Sequence, residues 1–245
     1  MSDILYYQNL TDPQISQLNK EHVIVILPIS LMEAHGPHLP LGTDFLIAAK
    51  FSELLAARLT QFDPQTRALI MPAVPMGVGG INRPGTLAHE QNLIKNTLFQ
   101  FGRQLADHGF KKGIIVSGHA GKAHLQAMSS AARNLKKQST FEFLPLTSYL
   151  FLDAGLKKMA RMIGQSGNDL PPYDGHAGLW ETSVMMFLHP EQVDSRHKSL
   201  PESDDAEENG YRGNPALANV ETGQKLIGFL LDIAQMIVNK HFFEA

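Results

Sequence analysis

The sequence contains no cysteine. A chain without cysteine has no disulfide bonds, no thiolate metal ligands and no cysteine nucleophile. This excludes cysteine hydrolases and zinc-finger-type sites, and it is compatible with a reducing compartment. Any catalytic or metal chemistry must therefore depend on histidine, carboxylate and hydroxyl side chains.

Excess charge and long apolar runs are also missing. The formal net charge is only -3, so the composition gives no indication of binding to nucleic acid or to a membrane surface. No apolar stretch reaches the roughly 20 residues that a membrane-spanning helix needs. The first residues, MSDILYYQNL, lack the basic and apolar regions of a signal peptide. We therefore expect a cytoplasmic protein with neither nucleic acid nor membrane as a partner.

A chain of 245 residues fits one large domain better than two small ones. The sequence has no internal repeat. Two irregular segments, 168–175 and 199–215, interrupt the pattern, and the second is acidic and predicted to be a mobile excursion. Neither is expected to divide the chain, because the helices beyond them still need a sheet to pack on. We predict a single domain over 1–245.

Apolar runs alternate with stretches of helical periodicity. The run HVIVILPI, from His22, is continuous and rich in β-branched residues, as is typical of a strand buried on both faces. Further strands are predicted to begin at Ala68, Gly113 and Phe141, the last near an edge of the sheet because of Pro145. Helices are predicted over 44–60, 89–108, 123–137, 179–188 and 219–242. This alternation predicts an α/β fold with a mostly parallel sheet between helical layers.

Ligand-type side chains follow two of these predicted strands. Glu33, His35, His38 and Asp44 come after the first strand, in a loop with three prolines, and His119 comes after the third. Because ligands bind beyond the carboxyl ends of parallel strands, the two groups are expected to meet. Carboxylates and imidazoles without thiolates suit Zn²⁺, Mn²⁺ or Fe²⁺, and an aspartate can bridge two such ions.

A third cluster lies in HAGLWETS, which begins at His176. A helix is predicted to start near Gly178, which puts His176 in the entry loop and Glu181 in the first turn. Glu181 could equally be a carboxylate that the helix dipole favours there.

Several residues also have a purely structural explanation. Glu33, His35 and Asp44 could form turns and caps, and Thr43 or Asp44 could cap the first long helix. Lys122 could be a solvated lysine at a helix start. Five further histidines are interpreted as ordinary polar residues: His108, His124, His189, His197 and His241.

The glycine-rich segment Gly77–Gly80 allows a different hypothesis, a nucleotide-dependent enzyme. It follows a predicted strand, but it lacks the third glycine of the dinucleotide fingerprint, and no helix follows at once. The chain also has no G-x-S-x-G nucleophile elbow.

The motifs together resemble those of the creatininase (creatinine amidohydrolase) family. PISLMEAHGPHLPLGTD is very similar to the family's N-terminal motif. SGHAGKAH, HAGLWETS, RPGTLA and GNPALANVETGQKL resemble later motifs in the right order, so the likeness covers about residues 20 to 235. The resemblance implies an α/β/α sandwich with a binuclear metal centre in a homo-oligomer, often a hexamer.

Carried over residue by residue, the resemblance implies that Glu33 and His119 bind one ion, His35 binds the other, and Asp44 bridges both. In creatininase a glutamate stands two positions after the histidine matching His119. Here that position is Gly121, so Glu181 is expected to complete the second ion. His176 matches the histidine thought to move protons to the leaving nitrogen, and His38 is expected to orient a ligand or the substrate.

The resemblance predicts a hydrolase that uses two divalent ions (Zn, Mn or Fe) to cleave a non-peptide C–N bond of a small molecule. The substrate could be a cyclic amide, a formamide or a peptide-like compound. Creatinine itself is not favoured, because 150–155 lacks the tryptophans that close over it and Lys122 replaces the usual asparagine. A non-catalytic metal- or metabolite-binding protein on the same scaffold is the alternative.

Overall fold

The computed structural model describes residues 3–148, 150 and 174–244. The described strands form one five-stranded, wholly parallel sheet in the order β1-β3-β2-β4-β5. The strands are β1 Ile4–Tyr6, β2 Val23–Pro28, β3 Arg67–Ile70, β4 Lys112–Val116 and β5 Glu142–Pro145.

The helices of the described residues connect and cover these strands, and short 3-10 segments join several of them. In chain order they are α1 Asp12–Gln17, α2 Thr43–Phe62, α3 Gln91–Asp107, α4 Lys122–Lys136, α5 Leu146–Ser148, α6 Leu179–Leu188, α7 Ala206–Asn209 and α8 Val220–Phe242. None of these helices combines the length and the apolar character needed to cross a membrane.

Strand β2 is buried along its whole length because helices cover both faces of the sheet. Ile24 and Ile26 belong to a core shared with α2, α6 and α8. Val25 and Leu27, which point to the opposite face, belong to a second core with α3 and α4. This confirms the predicted three-layer α/β/α sandwich.

The strand order creates a crevice between β2 and β4. From β2 the chain passes through α2 to β3 on one side, then returns through α3 to β4 on the other side of β2. The segments that leave β2 and β4 therefore diverge at their carboxyl ends, and such a switch point is where α/β proteins bind ligands.

The structure departs from the predictions at two places. Strand β1 was not predicted, since only three half-buried residues form it and they carry no long apolar run. The capping prediction for α2 was wrong: Gly42 is the N-cap residue, without a side-chain cap. The Thr43 hydroxyl instead donates to the Pro40 carbonyl at 2.7 Å, and Asp44 turns toward the crevice.

The predictions for α6 and β5 are confirmed. Helix α6 has the predicted bounds, and β5 lies at an edge of the sheet. The segment 199–215 is folded onto the molecule, and Ser203 and Gly213 pair in an antiparallel bridge. The predictions for the segments 151–155 and 168–173 lie outside the described residues.

Candidate metal centre

The loop between β2 and α2 is fixed by backbone contacts to its neighbours. Its first residues hydrogen-bond to β4 and to the segment after β3, through Ile29 to the Val116 carbonyl and Ser30 to the Val74 carbonyl. Gly36 takes φ +70, and a Cβ there would lie 3.0 Å from Nδ1 of His38. Only glycine suits this position, since the left-handed backbone and the close histidine both exclude a side chain.

One group of ligand atoms combines Glu33, Asp44 and His119. Nδ1 of His119 lies 3.0 Å from Oε2 of Glu33 and 3.4 Å from Oδ2 of Asp44. All three side chains are buried. Residues from the ends of β2 and β4 therefore meet in the crevice, as predicted.

A second group combines His35, Asp44 and Glu181. Nε2 of His35 lies 3.5 Å from Oδ1 of Asp44 and 3.8 Å from Oε2 of Glu181. The other ring nitrogen of His35 donates to the Glu33 carbonyl at 3.0 Å, which leaves Nε2 as the free nitrogen of the neutral ring. Asp44 thus belongs to both groups and presents a different oxygen to each.

His176 joins a third group with Glu33 and His35. Its ring lies 4.2 Å from that of His35, centroid to centroid. Nε2 donates to the Ala34 carbonyl at 2.8 Å, and Nδ1 lies 3.8 Å from Oε2 of Glu181. The His176 side chain is 19% exposed whereas that of His35 is 1% exposed, so His176 is the imidazole of this group that a substrate can reach.

The donor atoms of the centre suit a cation. Oε2 of Glu33, Nε2 of His35 and Oδ2 of Asp44 are buried without a hydrogen-bond partner. Unpaired buried polar atoms are costly, and several of them converging on one place call for a ligand. The set contains only carboxylate oxygens and imidazole nitrogens, which are the donors that Zn²⁺, Mn²⁺ and Fe²⁺ accept.

The carboxylates control the protonation of the two buried imidazoles. Burial alone would lower the pKa of His35, but the Asp44 carboxylate outweighs it and raises the pKa to about 9. For His119 burial is likewise outweighed by Asp44 and Glu33, and its pKa rises to about 10. Burial would raise the pKa of Asp44, yet the two histidines hold it below its usual range. Burial raises the pKa of Glu181.

His38 lies outside the three groups and instead holds the entry to α6. Its Nε2 contacts the Ala177 carbonyl at 3.1 Å and the Thr182 hydroxyl at 2.9 Å. Ala177 has φ +50, a conformation that residues other than glycine seldom adopt, and it separates His176 from the helix that carries Glu181. Burial lowers the pKa of His38 to about 4, so the ring is neutral near pH 7. The predicted role of His38 in orienting a ligand or the substrate stays a prediction.

Sequence reasoning missed Asp174, which anchors the same helix. Its Oδ2 accepts hydrogen bonds from the backbone N–H groups of Leu179 at 2.6 Å and Asn214 at 2.9 Å. The only signal was an aspartate a few residues before a predicted helix, and the long-range partner Asn214 gave none.

A buried hydroxyl network behind His119 was also missed. The His119 N–H lies 3.1 Å from the hydroxyls of both Ser30 and Ser117. The Ser117 hydroxyl also lies 3.1 Å from Nε2 of His124. His124 is on α4, as predicted, but it is fully buried and supports the turn that carries His119. Burial lowers its pKa to about 4.

Two glycines allow the loop after β4 to approach the centre. A Cβ at Gly118 would lie 2.2 Å from the Asp44 carbonyl oxygen, and a Cβ at Gly121 would lie 2.2 Å from Nε2 of His119. Position 121 therefore has no room for the carboxylate that creatininase carries there. Lys122 is exposed at the first position of α4.

The segment Gly77–Gly80 supports Glu33 rather than a nucleotide site. The N–H of Ile81, just after it, donates to Oε1 of Glu33 at 2.8 Å. A Cβ at Gly80 would lie 3.2 Å from the Glu33 carboxyl carbon. No helix follows until Gln91, and the neighbouring carboxylate would repel a phosphate.

A comparison of the sequence with known protein families identifies the relatives of this chain. The model of the creatininase family, described as creatinine amidohydrolase, matches residues 8–236. The chain belongs to the creatininase family. The side chains of all three ligand groups lie within the matched residues.

Curated relatives of this creatininase-family chain differ in their named substrates. A mycofactocin precursor peptide peptidase from Mycobacterium ulcerans (strain Agy99) is 30% identical over 184 residues, 73% of this chain and 63% of that protein. A creatinine amidohydrolase from Pseudomonas putida is 26% identical over 183 residues, 70% of this chain and 66% of that protein. The match spans less than two thirds of either relative. One is named a peptidase, so similarity does not restrict this chain to non-peptide bonds.

Solved creatininase structures share the fold. A structure titled as the manganese form of creatininase has a TM-score of 0.72 at 20% identity and covers 98% of this chain and 99% of its own. A creatininase variant of the zinc–zinc type has a TM-score of 0.71 at 20% identity, covering 99% of this chain and 100% of its own.

Proposed function

We propose that this protein is an amidohydrolase that uses two divalent metal ions (Zn, Mn or Fe) to cleave a C–N amide-type bond. The observation that carries this proposal is the position of Asp44. Its Oδ2 faces His119 at 3.4 Å and its Oδ1 faces His35 at 3.5 Å. A carboxylate that offers one oxygen to each of two ligand groups is suited to bridge two ions.

In this proposal the ligand groups divide between the two ions. Glu33 and His119 would hold one ion, His35 and Glu181 the other, and Asp44 both. Such ions, when bound, supply a water of lowered pKa and polarise a carbonyl. The carbonyl of Glu33 and the N–H of Ile81 would keep the imidazole of His35 and the carboxylate of Glu33 in place.

His176 would serve as the proton donor to the departing nitrogen. Its ring is partly exposed, and its Nδ1 lies 3.8 Å from Oε2 of Glu181. The hydrogen bond from Nε2 to the Ala34 carbonyl fixes the ring, so that Nδ1 is the atom that exchanges a proton. Glu181 stands beside this atom and could receive or return that proton.

Family membership supports further parts of the proposal. The named activities of two relatives, a creatinine amidohydrolase and a precursor peptide peptidase, have amide C–N cleavage in common. We therefore propose a small amide or peptide-like substrate. We also propose a homo-oligomer of single-domain chains over 1–245 in the cytoplasm, as the motifs predict.

The bridging role is tested with Asp44→Ala. We expect the purified variant to lose both ions, measured as metal per chain, because one oxygen of Asp44 would serve each. The matched variant His35→Ala should lose one ion and keep the one bound by Glu33 and His119. Two tightly retained ions in Asp44→Ala would contradict the bridge.

Hydrolysis is tested with the metal-loaded protein and a panel of formamides, cyclic amides and short peptides. Turnover of any class that disappears in Asp44→Ala supports the proposal. Two bound ions with no turnover over the whole panel would instead support the non-catalytic binding protein.

A further inference from the structure

A small cavity opens beside the candidate metal centre, between α2, α6 and α8. Its volume is about 110 Å³. Apolar side chains form most of its wall, among them Phe51, Trp180, Val184 and Ile227, and Glu181 stands at the wall as well. Since Glu181 also belongs to one group of ligand atoms, this side chain borders both the cavity and the candidate metal centre.

The polar side chains of the wall have hydrogen-bond partners inside the protein. Oε2 of Glu181 accepts from the Ala177 N–H at 2.5 Å. The Thr147 hydroxyl accepts from the Ser117 N–H at 2.8 Å and lies 3.1 Å from the Ser117 carbonyl. The Ser117 hydroxyl is shared among Ser30, His119 and His124. A polar occupant would therefore find few partners, whereas an apolar one would gain from leaving water.

The described residues of the wall offer no cation to an anionic occupant. None of the described residues that line the cavity is a lysine, arginine or histidine, and Glu181 is an acid. A carboxylate or phosphate that lies deep in the cavity, away from the proposed ions, would form no ion pair with these residues.

From these features we propose that the cavity receives a short branched aliphatic group attached to the scissile amide. This inference rests on the proposed function, because it names the substrate class of the same site. The volume sets the size: an apolar cavity of roughly 150 Å³ holds benzene, so about 110 Å³ suits three to five carbon atoms. The substrates are then amides next to a side chain such as isopropyl or isobutyl.

The first test uses three hydroxamates, which chelate a divalent ion through the same head group. Acetohydroxamate has a methyl tail, 3-methylbutanohydroxamate has an isobutyl tail, and succinate monohydroxamate has an anionic tail of similar size. Each buried methylene should tighten binding about fourfold, so the isobutyl compound should bind roughly 60-fold more tightly than acetohydroxamate. The anionic compound should bind most weakly.

Trp180 provides a direct readout, since it lines the cavity and is the single tryptophan of the chain. The isobutyl tail should change its fluorescence, and acetohydroxamate should leave it nearly unchanged. Equal affinities for the three hydroxamates, or an isobutyl compound that binds without affecting Trp180, would overturn the inference.

A charge substitution gives the second test. Leu230 is a partly exposed wall residue on α8, so Leu230→Lys is compatible with folding and adds a cation at the cavity. We expect the ratio of isobutyl to succinate affinity to fall at least tenfold. Met236→Lys is the matched control. Met236 lies on the same helix, is 54% exposed and is not among the wall residues. This variant should keep the affinity ratio of the unchanged protein. An unchanged ratio in Leu230→Lys would overturn the inference.

Different results would contradict the proposed function and the cavity inference. Metal-free protein is titrated with 3-methylbutyramide, acetamide and succinamate, again by Trp180 fluorescence. A preference for the isobutyl amide there supports the cavity even if metal content or hydrolysis contradicts the proposed function. Bound ions and amide turnover with no preference among tails would contradict the cavity alone.

Discussion

At the scale of single residues, His35 and His119 would couple metal binding in the proposed centre to protonation. The carboxylates beside them raise their pKa values to about 9 and about 10. In metal-free protein both imidazoles are therefore protonated at pH 7. Only the neutral ring can coordinate an ion, so each ion must displace a proton.

We therefore predict that loading the protein with ions at pH 7 releases about two protons per chain. Apparent metal affinity should rise with pH from 6 and level off once the pH passes about 10, because His119 has the higher pKa. Calorimetric titration in two buffers of different ionisation enthalpy measures the release. A binding enthalpy that does not depend on the buffer would contradict the prediction.

The same shifts predict the pH dependence of stability in the metal-free chain. The folded-state pKa values of both histidines lie above the ordinary histidine value of 6.5. Their protonated forms stabilise the fold fully below about pH 6.5, and this contribution is lost as the pH rises through 9 to 10. Unfolding by urea at pH 6, 8 and 10 should show a falling midpoint, and bound ions should remove the fall.

His176→Ala separates proton transfer from metal binding. We expect unchanged metal content and turnover reduced by about 10²–10⁴-fold, the usual contribution of a general acid. Metal content per chain and the turnover of the amide substrate are the measurements. Unchanged turnover, or loss of an ion, would contradict its proposed role.

The sequence predicted the ligand-type residues of the candidate site better than it predicted the residues that hold them in place. Glu33, His35, Asp44 and His119 follow strand ends, so the general rule for parallel sheets brought them together. Asp174 and the hydroxyls of Ser30 and Ser117 act through partners far away in the chain, which local patterns do not reveal.

At the scale of elements, the turn after β4 depends on the polar residues behind it. Ser117 contacts the backbone of His119 and the ring of His124 within 3.1 Å. Because supports of metal ligands commonly contribute 10–100-fold to affinity, these residues should matter although they touch no ion.

We predict that Ser117→Ala weakens the ion held with His119 about 10–100-fold and leaves the ion held with His35 in place. Metal competition with a chelator, followed by metal analysis, measures both. Ser148→Ala is the matched control: its hydroxyl, also fully buried, donates to the Leu125 carbonyl at 2.8 Å. Equal metal affinities in the two variants would mean that the network has no specific role.

The apolar stripes of the helices allowed their existence to be predicted. The residues that begin and end each helix were predicted correctly for α6 but not for α2. α6 was predicted with its correct bounds, since Gly178 precedes a segment with apolar residues at helical spacing. At α2 local propensity favoured a cap at Thr43 or Asp44, but the carboxylate of Asp44 is used in the crevice instead. A functional contact there overrides the local rule.

At the scale of the whole molecule, the centre unites residues that are distant in sequence. Its ligand atoms come from residues as far apart in sequence as Glu33 and Glu181. A site of this kind is complete only when the sheet and α6 have assembled, so it cannot guide the early steps of folding.

Bound ions should accordingly slow unfolding and leave refolding almost unchanged. Contacts that are absent from the transition state act on the unfolding rate. Stopped-flow denaturant jumps with and without saturating Mn²⁺ would measure both rates. A refolding rate that rises in step with metal affinity would contradict this prediction.

The two edges of the sheet affect how these chains behave at high concentration. β1 has three residues and β5 has four, ending in Pro145, which has no N–H to donate. Exposed sheet edges are the usual templates for aggregation, and short edges or edges with proline are poor ones. The long apolar strand β2, which would be the most hazardous, is enclosed by β3 and β4. The order of strands that creates the ligand crevice thus also protects the molecule from edge-to-edge association.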